Sequence, residues 1–101
     1  MPKPLANIKV LDLTRLLPGP ACTRMLADWG AEVLKIEPPE GDYANRLGLA
    51  VDAPVEQVAP LYTIANRGKT VERLDLKSDA GRARLLALVA ESDALVEGFR
   101  P

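Results

Sequence analysis

The sequence predicts an α/β fold, a Rossmann-like parallel sheet that is incomplete within this stretch of chain. Three observations carry that expectation. Short apolar runs of strand length alternate with helix-length segments. The first run is apolar on both of its faces, as a strand covered on two sides requires. Proline and glycine stand between the periodic segments, where they punctuate the chain.

Ile8 to Leu13 ("IKVLDL") is the first strand, with Ile8 and Val10 on one face and Leu11 and Leu13 on the other. Pro18-Gly19-Pro20 follows as a turn, and a helix is expected from about Pro20 to Trp29. Cys22, Met25, Leu26 and Trp29 recur at spacings of three and four and predict its buried stripe. Gly30 suits the left-handed stop after the last turn. Val33 to Ile36 is the second strand, closed by Pro38 and Pro39. Strand, helix and strand in close succession make a βαβ unit with its two strands parallel.

From Pro39 to about Pro60 no period survives, which predicts a long loop. Leu61 to Ala65 reads as one helical turn, and "NRGK" (Asn66 to Lys69) as a tight turn. The third, more polar strand covers 71–76. Ser78 caps a helix running to about Glu91, with Leu85, Leu86 and Val89 buried. The fourth strand covers 94–98. Two clear helices are few for four parallel strands, so the stretch reads as a piece of a longer protein.

Composition removes several function classes. Thirteen basic and fourteen acidic residues leave a net charge of -1, with no general attraction to nucleic acid or anionic membrane. Trp29, Tyr43, Tyr62 and Phe99 are the only aromatic residues, too few for a base-stacking platform. The chain has no histidine, which excludes within it a Ser-His-Asp triad, a Cys-His pair and a His-ligated metal. Cys22 is the single cysteine, so no internal disulfide or Cys-x-x-Cys site exists. No metal is expected. The first residues show neither a signal peptide nor a long apolar span, which makes a cytoplasmic location the default.

The first turn carries no Gly-x-Gly-x-x-Gly, and no P-loop occurs, so a dinucleotide is poorly supported. Helix N–H groups near the turn remain available to an anion, against the plainer reading that Pro-Gly-Pro only sets the strand-to-helix angle. Ligands of parallel sheets collect at the carboxyl ends of the strands. Arg15, Lys77 and Arg100 follow strands one, three and four, and together suit a phosphate-rich ligand; singly, each also suits solvated surface. Arg67 and Lys69 precede strand three, at the opposite edge unless the long loop folds back. Asp12 and Asp75, read as inside strands, are either general bases or partners of backbone and neighbouring cations. Cys22, in the apolar stripe, reads as a buried inert thiol.

In order, "PLANIKVLDLTRLLPGPACTRMLADWGAEVLKIEPPEGD", "NRGKTVERLDLKSDAGRARLL" and "SDALVEGFRP" resemble the family III CoA-transferases, the group that includes the α-methylacyl-CoA racemases. The resemblance covers nearly all of the chain. It implies that residues 1–101 are an N-terminal, Rossmann-like segment binding coenzyme A, in a protein that forms an intertwined homodimer. Carried over by motif, it implies cofactor contacts at Arg15 and Leu16 in the first turn, and at Leu74 and Lys77 in "LDLK" toward the adenosine. It implies further contacts at Gly98, Phe99 and Arg100 in "EGFRP". Arg46 matches the basic residue of the family's "GD-x-x-R" loop with one extra residue of spacing. Pro38 stands where many members have arginine, and Leu17 where many transferases have a polar residue.

The implied reaction moves CoA between an acyl-CoA and a carboxylic acid through aspartyl intermediates. The alternatives are an acyl-CoA racemase and a non-catalytic CoA-binding remnant. The resemblance places the catalytic aspartate beyond residue 101, so no catalytic residue is assigned here.

Overall fold

The computed structural model describes residues 2–101. Four strands, β1 (Lys9–Leu13), β2 (Glu32–Glu37), β3 (Thr70–Arg73) and β4 (Ala94–Glu97), form one sheet in the order β3-β2-β1-β4. Every neighbouring pair is parallel. The register sets Asp12 beside Lys35 and Val96, which later places opposite charges at the same level of the sheet. Three helices connect or flank the strands: α1 (Pro18–Asp28), α2 (Pro60–Ala65) and α3 (Asp79–Glu91).

The two sheet faces are different. On one, Leu11, Leu13 and Ile36 pack with Leu88 of α3, joined by Leu34, Leu74, Leu76 and Leu85. The centre of this face is apolar, and toward the β3 edge Glu72 pairs with Arg84 of α3. On the other, Val10, Ala31 and Val33 pack with Leu5, Leu26, Ala27 and Val96. The same face of β1 and β2 also carries Asp12 and Lys35, both with no exposed surface.

Helix α1 starts at Pro18, earlier than the turn reading expects, so Pro-Gly-Pro is its first turn. Proline costs little there because the first helical N–H groups have no intrahelical acceptor. At the far end Gly30 adopts φ +106. Its N–H donates to Ala27 O while the Ala31 N–H donates to Leu26 O, a Schellman stop.

The stripe that α1 buries matches the expected one only at Leu26. Pro20 and Thr23 are buried, with Leu26 and Ala27 against the core, whereas Cys22, Met25 and Trp29 are exposed. One residue of helix is about 100° of rotation, and the contact of the first turn with β1 selects the phase. Ala-sized and hydroxyl side chains allow close approach to the sheet; apolarity alone does not identify that stripe. Helix α3 shows a smaller shift. Gly81 and Leu88 are buried and Leu85 packs on the core, while Leu86 and Val89 face outward.

Strand β3 is shorter than its apolar pattern. It ends at Arg73, although the Leu74 N–H still donates to Glu37 O. Asp75 therefore lies in the turn before α3, where its carboxylate accepts the Lys77 N–H and its carbonyl accepts from Ser78. The Ser78 hydroxyl accepts the Gly81 N–H as the expected cap. The long loop has internal order: a 3-10 turn at Tyr43–Arg46, then a segment whose carbonyls at Ala53, Pro54 and Gln57 accept from the Arg46 guanidinium.

Candidate functional site

The carboxyl ends of the four parallel strands open into two adjoining depressions. The narrower, about 300 Å³, lies on the α3 side. Leu13, Ile36, Leu74 and Leu76 give it an apolar floor, with Arg15, Lys77, Glu40 and Asp75 among its charged lining. The wider and more polar, about 870 Å³, is lined by Thr14, Tyr43, Gly98 and Arg100. Arg15, Leu13 and Phe99 line both, so they form the wall between the two.

Of the residues expected at a site, Arg15, Leu74, Lys77 and Phe99 meet in the narrower depression. Gly98 and Arg100 join Arg15 and Phe99 in the wider one. Lys77 and Arg100 do not share a depression. Leu16 lines neither; it is half-buried, with φ +73, a left-handed conformation that costs a leucine roughly 1–2 kcal/mol. Its N–H points to the Asp42 carboxylate at 3.4 Å. Arg46, tied to three loop carbonyls, serves the loop rather than either depression.

The first turn of α1 offers an anion little. Pro18 and Pro20 have no N–H, and the Ala21 N–H is already donated to Leu17 O. Gly19 has a steric reason to be glycine: a Cβ there would collide with the Thr14 side chain. Glycine at this position thus lets the first turn of α1 lie close against Thr14.

Behind the turn lies a buried polar cluster that strand patterning does not reveal. The Asp12 carboxylate accepts from the Thr14 N–H and hydroxyl, the Thr23 hydroxyl at 2.6 Å and the Lys69 ammonium at 3.0 Å. Burial alone pushes the Asp12 carboxyl up. The hydrogen bonds from Thr14 and Thr23, with the Lys69 charge, outweigh it and hold the carboxyl below the usual carboxylate value. Lys69 also donates to Pro20 O and Asn66 Oδ1, which accounts for all three of its N–H groups. Lys69 therefore reaches back from the far edge of the sheet into its centre.

Lys35 lies beside it. Its ammonium donates to Asp42 Oδ2 at 2.7 Å and shares Asn66 Oδ1 at 2.9 Å, with the Tyr62 ring centroid 5.4 Å away. Tyr62 donates its hydroxyl to the buried Glu37 carboxylate. Burial, then that bond and the Glu37 charge, push the phenol above its usual value. The cluster is satisfied internally, so Asp12 is a structural ion-pair partner and not an available base. The sequence signal for it was present: Asp12 and Lys35 each stand between apolar neighbours inside two adjacent strands.

Comparison with known proteins agrees with this architecture. Residues 5–101 match the model of CoA-transferase family III. The chain is 41% identical over 97 residues to a succinyl-CoA:mesaconate CoA-transferase of Haloarcula hispanica, covering 95% of this chain and 24% of that protein. It is 44% identical over 99 residues to the succinyl-CoA–L-malate CoA-transferase alpha subunit of Chloroflexus aurantiacus, covering 97% of this chain and 23% of that one. The chain thus spans about a quarter of the length of these curated relatives. A crystal structure of a CAIB/BAIF family protein from Brucella suis superposes with a TM-score of 0.88 at 37% identity, over 98% of this chain and 26% of that one. A family match over nearly the whole chain, on the same parallel α/β framework as a solved member, establishes that the chain belongs to CoA-transferase family III.

Proposed function

We propose that the protein carrying this chain moves coenzyme A between an acyl-CoA and a carboxylic acid, and that residues 1–101 hold the CoA. One observation carries the reading: an apolar-floored cleft at the carboxyl ends of parallel strands, with Arg15 and Lys77 in its lining. Coenzyme A has a flat adenine and a polyanionic head; the apolar floor suits the first, and Arg15 and Lys77, which share the lining with Glu37, Glu40 and Asp75, suit the second. Phe99 separates that cleft from the wider depression, where Arg100 adds a further cation. The acyl arm of the thioester would run into the wider depression.

Covalent transfer through an aspartyl anhydride and thioester is the chemistry proposed for the whole protein. Asp12 is not assigned that role, since its carboxylate is fully engaged by Thr14, Thr23 and Lys69. The transferase names of the matched relatives support CoA transfer over racemisation. A cytoplasmic homodimer is part of the same proposal.

Calorimetry of CoA binding to the full-length protein tests the reading. A well-formed charge-assisted contact contributes about 1.5–3 kcal/mol. Lys77→Ala and Arg100→Ala should therefore each weaken CoA binding by roughly tenfold or more. Unchanged affinity in both folded variants would make these cations ordinary surface charge and remove the assignment.

A further inference from the structure

We propose that Asp42 and Tyr43 are positioning residues for Arg15: together they hold the strained β1–α1 turn so that its guanidinium is presented to the CoA. The proposal rests on the reading of the cleft as a CoA site. Two independent contacts point to it. The Asp42 carboxylate is fully buried, accepts from the Lys35 ammonium and the Ala44 N–H, and faces the Leu16 N–H at 3.4 Å. The next residue, Tyr43, lies with its ring centroid 6.0 Å from the Arg15 guanidinium carbon.

The backbone contact and the ring therefore bear on consecutive residues of one turn. Leu16 is left-handed without being glycine, so its conformation needs support from outside the turn. Lys35 supplies the rigid base, anchored in the centre of the sheet and closed off from solvent. Arg15 is exposed and lies in the wall between both depressions, and a long side chain there has many rotamers. The cation–π approach to Tyr43 narrows them before the ligand arrives, which lowers the ordering cost of binding. Neither Asp42 nor Tyr43 has to touch the cofactor for this.

The test is a coupling measurement on the full-length protein, with CoA as the titrant. Arg15→Ala should weaken binding about tenfold, as for a lost charge-assisted contact. Tyr43→Leu should weaken it about threefold, the scale of an exposed cation–π contact. Tyr43→Phe, which keeps the ring, should restore wild-type affinity. The double variant Lys35→Met/Asp42→Leu replaces the buried pair with apolar groups, so it is expected to fold, and it should bind CoA several-fold more weakly.

In the Arg15→Ala background neither the Tyr43→Leu nor the Lys35→Met/Asp42→Leu change should weaken binding further, because both act through Arg15. Additive losses in the two backgrounds, or unchanged affinity for Tyr43→Leu, would overturn the proposal. Since Tyr43 is more than half exposed, its variants decide the matter even where the buried pair variant fails to fold. A wild-type protein that does not bind CoA overturns the underlying reading as well. CoA binding that needs Arg15 but shows no coupling overturns this proposal alone.

Discussion

Asp12 shows how much one residue's surroundings decide. As a letter in "VLDL" it has the chemistry of a base; in the structure it accepts four hydrogen bonds and its charge is fixed. Its carboxyl is held below the usual value, so as pH falls the unfolded chain takes up a proton before the folded one does. The stabilisation is complete above the ordinary carboxylate value near pH 4 and is lost as pH drops through the lower folded value. Urea unfolding at pH 7 and pH 3 should show this loss in the wild-type protein. Asp12→Asn/Lys69→Met should show a shallower acid dependence, and an identical dependence would mean that other carboxylates carry the acid limb. Gly19 makes the same point sterically. Its glycine identity answers to Thr14, five residues earlier, and to no conformational need of its own.

At the scale of elements, existence and phase were unequally legible. Ser78, the Gly30 stop and the apolar runs announced α1, α3 and all four strands, because caps and periodicity are local chemistry. Which stripe of each helix meets the sheet depends on contacts with distant residues. For α3 these are Leu11, Leu13 and Ile36 of the sheet, against which Leu85 and Leu88 pack, on the same side of the helix as the buried Gly81. Leu88→Ala should consequently lower stability by about 2–5 kcal/mol, as in other buried leucine truncations. Leu86→Ala, at a position 68% exposed, should change it by only about 0.5 kcal/mol or less. Thermal or urea unfolding of the two variants separates them, and equal losses would contradict the observed phase.

For the whole molecule, the sheet edge collects what the sequence scatters. Arg15, Leu74, Lys77 and Phe99 come from three strand ends and meet because all strands run parallel. The chain has no histidine, and Asp12 is closed off behind the turn. We expect the 101-residue chain by itself to show no CoA transfer or racemisation with any acyl-CoA. A turnover assay in which activity co-purifies with this chain would refute that and direct attention to its remaining carboxylates.

The sequence by itself determined the α/β class, the order of the strands along the chain, the helix caps and the cations that follow the strands. These depend on period, turn chemistry and composition, all of which act over a few residues. Only the tertiary structure decided that Lys69 reaches Asp12, that Lys35 pairs with Asp42, and that Asn66 joins the two lysines through one oxygen. It also decided that Arg15 lines both depressions while Leu16 lines neither. A buried charge is tolerated only with its partners in place, and those partners come from segments that the sequence reads as loop and turn. Their convergence depends on strand register and on how the long loop folds over the sheet, and neither is written in any local pattern.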